Sequence, residues 1–217
     1  MSDLCRWVCL DVGECLIEET RVWSTWADVL GVPRFTLAAV MGGVIARGES
    51  YIEAFPLLGR PDWVGYWEAV DTAYGGFRPE DLYPDALPTL ARLRSCGYGV
   101  AVIGNQPASR HAQLLALGVD VDVLATSEAL GAAKPDPAFF ARALELMGSP
   151  EPEQVVYVGD RVDNDVLAPL AAGMRAVWLR RGPWGLLQRL PPDAPAVPQA
   201  RSLAELSDLL PACFSDF

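Results

Sequence analysis

Five short apolar segments, separated by helical patterns, restrict this sequence to a narrow set of folds. The segments are rich in Val, Ile, Tyr and Trp, and a glycine or a polar residue marks their ends. Continuous apolar runs of this kind predict strands that are buried on both faces. Strands that alternate with helices predict a parallel sheet with right-handed crossovers, and therefore an α/β fold. The predicted strands cover residues 6–11, 98–104, 122–126, 154–159 and 175–179.

Helical patterns lie between the later strands, and a glycine follows each of them. Glycine adopts the left-handed conformation just after a helix without steric cost, so these glycines predict where the helices end. A further short helix is predicted near residues 203–210. The predicted helices between the strands cover residues 84–96, 107–117, 136–147 and 164–172.

The segment that follows the first strand has a different organisation. Residues 16–82 contain only helical patterns, at 22–30, 35–45, 51–57 and 63–74, and they hold four of the seven tryptophans. We therefore predict two domains. Residues 1–15 and 83–217 form the sheet-based core, and residues 16–82 form a helical insertion.

Charge and composition exclude several classes of function. The chain carries 17 basic and 28 acidic residues, a net charge of −11, which argues against binding to nucleic acids or to anionic membranes. No apolar run approaches the roughly 18 residues that a membrane span needs. No signal peptide is evident, and five cysteines without a Cys-x-x-Cys pair indicate a reduced, cytoplasmic protein with buried thiols. A single histidine argues against a zinc site and against histidine-dependent nucleophiles.

Polar residues stand at the ends of three predicted strands. Asp11 ends the first strand, Gly104 and Asn105 end the second, and Asp160 follows the fourth. The carboxyl ends of parallel strands meet at one edge of the sheet, where ligands bind. Clustered carboxylates need a compensating cation, and oxygen ligands without histidine favour Mg²⁺. The sequence therefore predicts a magnesium site at this edge.

Lys134 is the only lysine of the chain, because the other basic residues are all arginine. It precedes Pro135 and lies between the second and the last of the strand-end motifs. A compact ammonium group and a planar guanidinium are not interchangeable at a crowded anionic site. We infer that Lys134 stands at the functional site.

Four motifs follow one another along the chain. They are Asp11-Val-Gly-Glu-Cys-Leu16, Ile103-Gly-Asn-Gln106, Lys134-Pro-Asp-Pro137 and Gly159-Asp-Arg-Val-Asp-Asn-Asp165. Taken in order, these motifs resemble the haloacid dehalogenase superfamily of hydrolases, which includes many phosphatases. The resemblance implies a Rossmann-like α/β core with a helical cap inserted after the first motif.

The resemblance also implies a role for each motif residue. Asp11 would be the nucleophile that forms an aspartyl phosphate, and Lys134 would orient it and bind the phosphate. Mg²⁺ would be held by Asp11, the Gly13 carbonyl, Asp160 and Asp165. Carboxylate attack on a phosphoryl group beside a metal ion and an ammonium group is chemically consistent with these roles.

Two positions depart from the family pattern. Gly13 replaces a second aspartate, which in family phosphatases protonates the leaving oxygen and later activates water. Gly104 replaces a serine or threonine, so backbone N–H groups of Gly104 or Asn105, or the Asn105 amide, would have to contact the phosphate instead. The adjacent Glu14 is a candidate replacement carboxylate.

These departures leave three functions open. We expect a Mg²⁺-dependent phosphatase, slow or specialised, that acts on a small phosphorylated metabolite. A metal-independent 2-haloacid dehalogenase needs no proton donor for its halide. A catalytically silent member would bind a phosphorylated ligand or a protein.

Overall fold

The computed structural model describes residues 6–214, which are built around one six-stranded sheet. All neighbouring strands are parallel, and their order is β3-β2-β1-β4-β5-β6. The predicted parallel α/β fold is confirmed, and the five predicted strands are present. The sixth strand has only two residues and was not predicted. The strands are β1 (Trp7–Leu10), β2 (Gly99–Gly104), β3 (Val123–Thr126), β4 (Val155–Gly159), β5 (Arg175–Leu179) and β6 (Gln199–Ala200).

Helices cover both faces of the sheet and also fill the segment after β1. Between β1 and β2 lie α1 (Thr20–Leu30), α2 (Arg34–Ala46), α3 (Ala54–Leu57), α4 (Trp67–Tyr74) and α5 (Ala86–Ser95). After β2 come α6 (Ser109–Ala116), α7 (Ser127–Leu130), α8 (Pro137–Leu146), α9 (Ala168–Ala171), α10 (Gly182–Leu187) and α11 (Leu206–Cys213).

Side chains of alternate strand residues form an apolar cluster on each face of the sheet. On one face, Val8 and Leu10 of β1 lie in the same cluster as Leu93 of α5 and Leu210 of α11. On the other face, Cys9 belongs to a cluster with Phe139 and Phe140 of α8. Because successive strand residues point to opposite faces, β1 is buried from both sides and its carboxyl end is fixed in position.

The helices between β1 and α5 surround a third apolar cluster, to which α10 also contributes Trp184. It includes Trp26, Leu37, Val44 and Phe55, drawn from α1, α2 and α3. The two segments that connect this region to the sheet run side by side, since an isolated antiparallel bridge joins residues 17 and 82. The division into domains at residues 15/16 and 82/83 stays a prediction that this local pairing supports.

One predicted helix has a different form. The pattern over residues 164–172 begins as a π-helical turn, Val162–Leu167, and becomes α-helical only in α9. The widened turn allows Asp165 to accept a hydrogen bond from the Arg161 N–H with one carboxylate oxygen, at 2.9 Å. π-helical turns are often found at functional sites.

Two other sequence expectations concern thiols and membrane spans. Cys9, Cys15 and Cys213 are buried as predicted, but Cys96 is exposed, so that expectation is wrong there. Cys5 lies outside the described residues. Within residues 6–214, no single helix has the length and apolar character to cross a membrane; only α1 and α2 together, bent by 113°, pass that test.

Candidate active site

The ends of three adjacent strands bring the predicted site residues to one edge of the sheet. Asp11 follows β1, Gly104 closes β2, and Asp160 follows β4, with β1 between the other two strands. Asp11, Gly13, Asn105, Lys134 and Asp160 line a single cavity of about 500 Å³. The other two predicted site residues, Gly104 and Asp165, are not among the residues that line it.

Lys134 forms the centre of a buried ionic group. Its ammonium nitrogen lies 2.8 Å from Asp11 Oδ1 and 2.5 Å from Asp165 Oδ1, and its side chain is only 1% exposed. Burial lowers the pKa of Lys134, but the charges of Asp11 and Asp165 outweigh burial and raise it above its ordinary value. Lys134 therefore stays protonated and holds the Asp11 carboxylate in place.

The side chain of Asn105 positions Lys134 through the backbone. Asn105 Oδ1 accepts a hydrogen bond from the Lys134 N–H at 2.8 Å, and Asn105 Nδ2 donates to the Lys134 carbonyl at 2.9 Å. Asn105 Oδ1 and one N–H of the Asn105 amide are thereby engaged, and the phosphate contact predicted for Gly104 or Asn105 stays a prediction. The carbonyl role predicted for Gly13 likewise stays a prediction.

Three carboxylates converge beside Lys134. One oxygen each from Asp11, Asp160 and Asp165 lies within 4.8 Å of the others. Burial, together with the charges of Asp165 and Asp11, raises the pKa of Asp160 well above its ordinary value. Burial also raises the pKa of Asp165 to about 6, against the opposing charge of Lys134. One ammonium group does not neutralise three buried acids, so the group is short of positive charge.

The cluster fits a divalent cation. Asp160 Oδ2 is buried, and no hydrogen-bond donor within residues 6–214 reaches it. Asn164 Oδ1, which the sequence analysis did not single out, is buried in the same way. Buried acceptors seldom lack a partner, and carboxylate and amide oxygens are the ligands that Mg²⁺ takes. The donor set therefore suits the predicted magnesium ion.

Four glycines leave room for the acidic side chains of this region. At each of them, an added Cβ would overlap a carboxylate or approach it closely, so a larger residue would displace that acid. The pairs are Gly13 with Glu19, Gly104 with Asp11, Gly159 with Asp165, and Gly182 with Glu14. At Gly13, one of the two departures from the family pattern, the nearby carboxylate is that of Glu19. At Gly104 that carboxylate is Asp11, whose Oδ1 would lie 2.5 Å from the Cβ.

Glu19 is the functional candidate that sequence reasoning missed. The chain folds back after Asp11, because residues 13 and 17 form a bridge, and this brings Glu19 beside Gly13. Glu19 Oε2 accepts a hydrogen bond from Trp23 Nε1 at 3.0 Å. Burial, and next the charge of Glu14, raises the pKa of Glu19 to about 7.

Glu14, the replacement carboxylate considered from the sequence, has other partners. Its Oε2 accepts a hydrogen bond from the Tyr83 hydroxyl at 2.6 Å, and its Oε1 accepts one from the Glu19 N–H at 3.0 Å. Glu14 therefore stabilises the loop that follows β1 through these two hydrogen bonds. The carboxylate beside Gly13 is that of Glu19.

Three buried carboxylates and one ammonium group thus lie together at the carboxyl edge of the parallel sheet. A family model described as haloacid dehalogenase-like hydrolase matches residues 11–173, well over half of the chain. The chain belongs to this family, as the ordered motifs predicted.

Individual relatives agree with this assignment. A glyceraldehyde 3-phosphate phosphatase from Methanopyrus kandleri is 37% identical over 115 residues, which cover 52% of this chain and 48% of that protein. A phosphoglycolate phosphatase from Haemophilus influenzae is 40% identical over 105 residues, 46% of each chain. The chain thus spans about half the length of the curated relatives it matches.

A solved structure shows the fold over nearly the whole chain. A 2-haloacid dehalogenase from Pseudomonas syringae matches with a TM-score of 0.60 and 21% identity, covering 96% of this chain and 99% of that one. Phosphatases and a dehalogenase are therefore both among the similar proteins, and the fold alone does not separate these two activities.

Proposed function

We propose that this protein is a Mg²⁺-dependent phosphatase that acts on a small phosphorylated metabolite through an aspartyl phosphate on Asp11. The observation that carries the proposal is the unpartnered oxygen of buried Asp160 beside the Asp11–Lys134 ion pair. A halide-displacing enzyme needs no divalent cation, whereas this acid group needs one to balance its charge. The names of the sequence relatives support the same choice.

Asp11 starts the reaction. One of its oxygens attacks phosphorus, and the bond between phosphorus and the leaving oxygen breaks. The ammonium group of Lys134, 2.8 Å from Asp11 Oδ1, orients the nucleophile and neutralises charge on the transferring oxygens. Asp11, Asp160 and Asp165, with the Gly13 carbonyl, would hold Mg²⁺, which supplies further neutralisation of the phosphoryl charge when bound.

Glu19 supplies the proton that Gly13 cannot. In the first step a proton moves from its carboxyl group to the leaving oxygen, so the leaving group departs as an alcohol. In the second step the Glu19 carboxylate takes a proton from water as the water attacks the phosphorus of aspartyl phosphate. Inorganic phosphate leaves, and both Asp11 and protonated Glu19 are restored.

The proposal is tested by comparing three activities. We expect Mg²⁺-dependent release of nitrophenol from 4-nitrophenyl phosphate, loss of that activity in Asp11→Asn, and no activity after chelation with EDTA. Chloride release from a 2-haloacid without metal would assign the protein to the dehalogenases instead. If neither reaction occurs while a phosphorylated ligand binds tightly, the protein is a silent binding member.

A further inference from the structure

A second cavity adjoins the catalytic one, and eight of its seventeen lining residues are aromatic. It has a volume of about 170 Å³ and lies between the helices of the insertion and the loop after β2. Its walls are braced by ring contacts: Phe55 stacks on Trp63 at 4.7 Å between centroids, and Trp26 contacts Trp63 and Trp67 at 5.8 and 5.7 Å. The rings therefore form a preformed surface.

The two cavities are adjacent and share five lining residues. Glu19, Trp23, Tyr51, Asn105 and Gln106 line both of them. The proposed proton donor thus stands where they meet, and a leaving group bonded to a phosphoryl group at Asp11 would extend past Glu19 into the aromatic cavity.

The volume of the second cavity and the chemistry of its walls indicate which kind of leaving group it can hold. A cavity of roughly 150 Å³ in an apolar core is enough to bind benzene, so this one has room for a single ring. Aromatic walls bind another ring in offset-stacked or edge-to-face geometry. Trp67 is 50% exposed although it lines the cavity, so a bound ring would cover apolar surface that now faces solvent.

The cavity is not suited to an anionic leaving group. Its cation, Arg110, is already paired with Asp71 and donates to Gln113 Oε1 at 3.0 Å. The Arg110 guanidinium also lies over Tyr74 and Phe77, at 5.2 and 5.3 Å from the ring centroids. A substrate carboxylate would have to compete with Asp71 for a cation that is already satisfied.

We propose that this cavity binds the leaving group of the substrate, and that the substrate class is phosphate monoesters that carry a single uncharged aromatic ring. This inference rests on the proposed phosphatase function and deepens it. It sets the chain apart from relatives that are named for glyceraldehyde 3-phosphate or phosphoglycolate.

Turnover of matched substrates tests the class. We expect kcat/KM in Mg²⁺ to be higher for benzyl phosphate than for phosphoglycolate. In Trp67→Ala, KM for benzyl phosphate should rise about tenfold while the constants for phosphoglycolate change less than twofold. Trp67→Phe keeps a ring and should recover most of the loss. Phe35→Ala removes an aromatic ring that is 86% exposed and does not line the cavity, so it should change nothing.

Binding separates this inference from the phosphatase proposal. Benzylphosphonate, which is not hydrolysed, should bind the wild-type chain about tenfold more tightly than Trp67→Ala in titration calorimetry with Mg²⁺. If benzylphosphonate binds in this way but no phosphate ester is hydrolysed, the cavity binds an aromatic ring and the protein is not a phosphatase. If the protein instead prefers phosphoglycolate, and Trp67→Ala lowers kcat/KM equally for both substrates, then the substrates are not aromatic esters. The protein would still be a phosphatase.

Discussion

Glu19→Gln removes the proposed proton and little else. Glutamine has the same size, and its carbonyl oxygen still accepts the hydrogen bond from Trp23 Nε1. Loss of a positioned general acid typically slows a reaction by about 10²- to 10⁴-fold, which corresponds to roughly 3–5 kcal/mol of activation free energy. We expect a loss in this range for substrates whose leaving group must be protonated.

The assay compares two leaving groups in a single turnover. Rapid-quench measurements of Asp11 phosphorylation by benzyl phosphate and by 4-nitrophenyl phosphate separate the first step from hydrolysis. Glu19→Gln should slow benzyl phosphate by at least about 10²-fold. It should slow 4-nitrophenyl phosphate only slightly, because nitrophenolate leaves without a proton. Glu18→Gln is the matched control, since Glu18 contacts Thr20 and does not line the catalytic cavity.

A rescue experiment tests the spatial argument. An added Cβ at Gly13 would overlap Glu19 Oε1, so an aspartate there displaces the Glu19 carboxylate unless Glu19 is shortened. Gly13→Asp combined with Glu19→Ala should therefore recover at least tenfold of the activity that Glu19→Ala loses. If Glu19→Gln slows the release of benzyl alcohol and of nitrophenolate equally, Glu19 is not the proton donor.

Three further predictions concern stability and positioning. Lys134→Met leaves buried Asp165 without its cation, so the free energy of unfolding in urea should fall by about 3–5 kcal/mol, and Mg²⁺ should partly restore it. An unchanged free energy of unfolding would show that Asp165 does not need this cation. Asn105→Ala removes two hydrogen bonds to the Lys134 backbone, so the free energy of unfolding should fall by about 2 kcal/mol and kcat should drop, whereas unchanged values would contradict a positioning role. Burial raises the pKa of Asp81, but its hydrogen bonds with Arg21 and with the Arg78 N–H, together with the charge of Arg21, outweigh burial and hold that pKa below its ordinary value. Its contribution to stability is therefore present above about pH 4 and is lost as the pH falls through the lowered pKa, so wild type and Asp81→Asn should converge in acid denaturation.

The sheet and the strand-end residues were predictable because short-range patterns encode them. Runs of β-branched residues define strands that are buried on both faces, and parallel strands must bring their carboxyl ends to one edge. Asp11 and Asp160 therefore lie together whatever the details of the loops. Lys134 stood out because no other basic position uses lysine.

The position of Glu19, the aromatic cavity and strand β6 depend on tertiary packing, which no short sequence pattern records. Glu19 has no motif to mark it, and only the fold-back between residues 13 and 17 places it beside Gly13. The aromatic cavity arises from the packing of insertion helices, whose tryptophans are also typical of ordinary helix contacts. The two-residue strand β6 is too short for any pattern to predict it.

A crystal soaked in Mn²⁺ will show whether Asp11 and Asp160 hold a divalent cation beside Lys134. Manganese takes the same oxygen ligands as magnesium and is visible by anomalous scattering. We expect one strong anomalous peak within coordination distance of both carboxylates, which Asp160→Asn abolishes or weakens. Ordered Asp11 and Asp160 side chains with no peak between them would contradict the account.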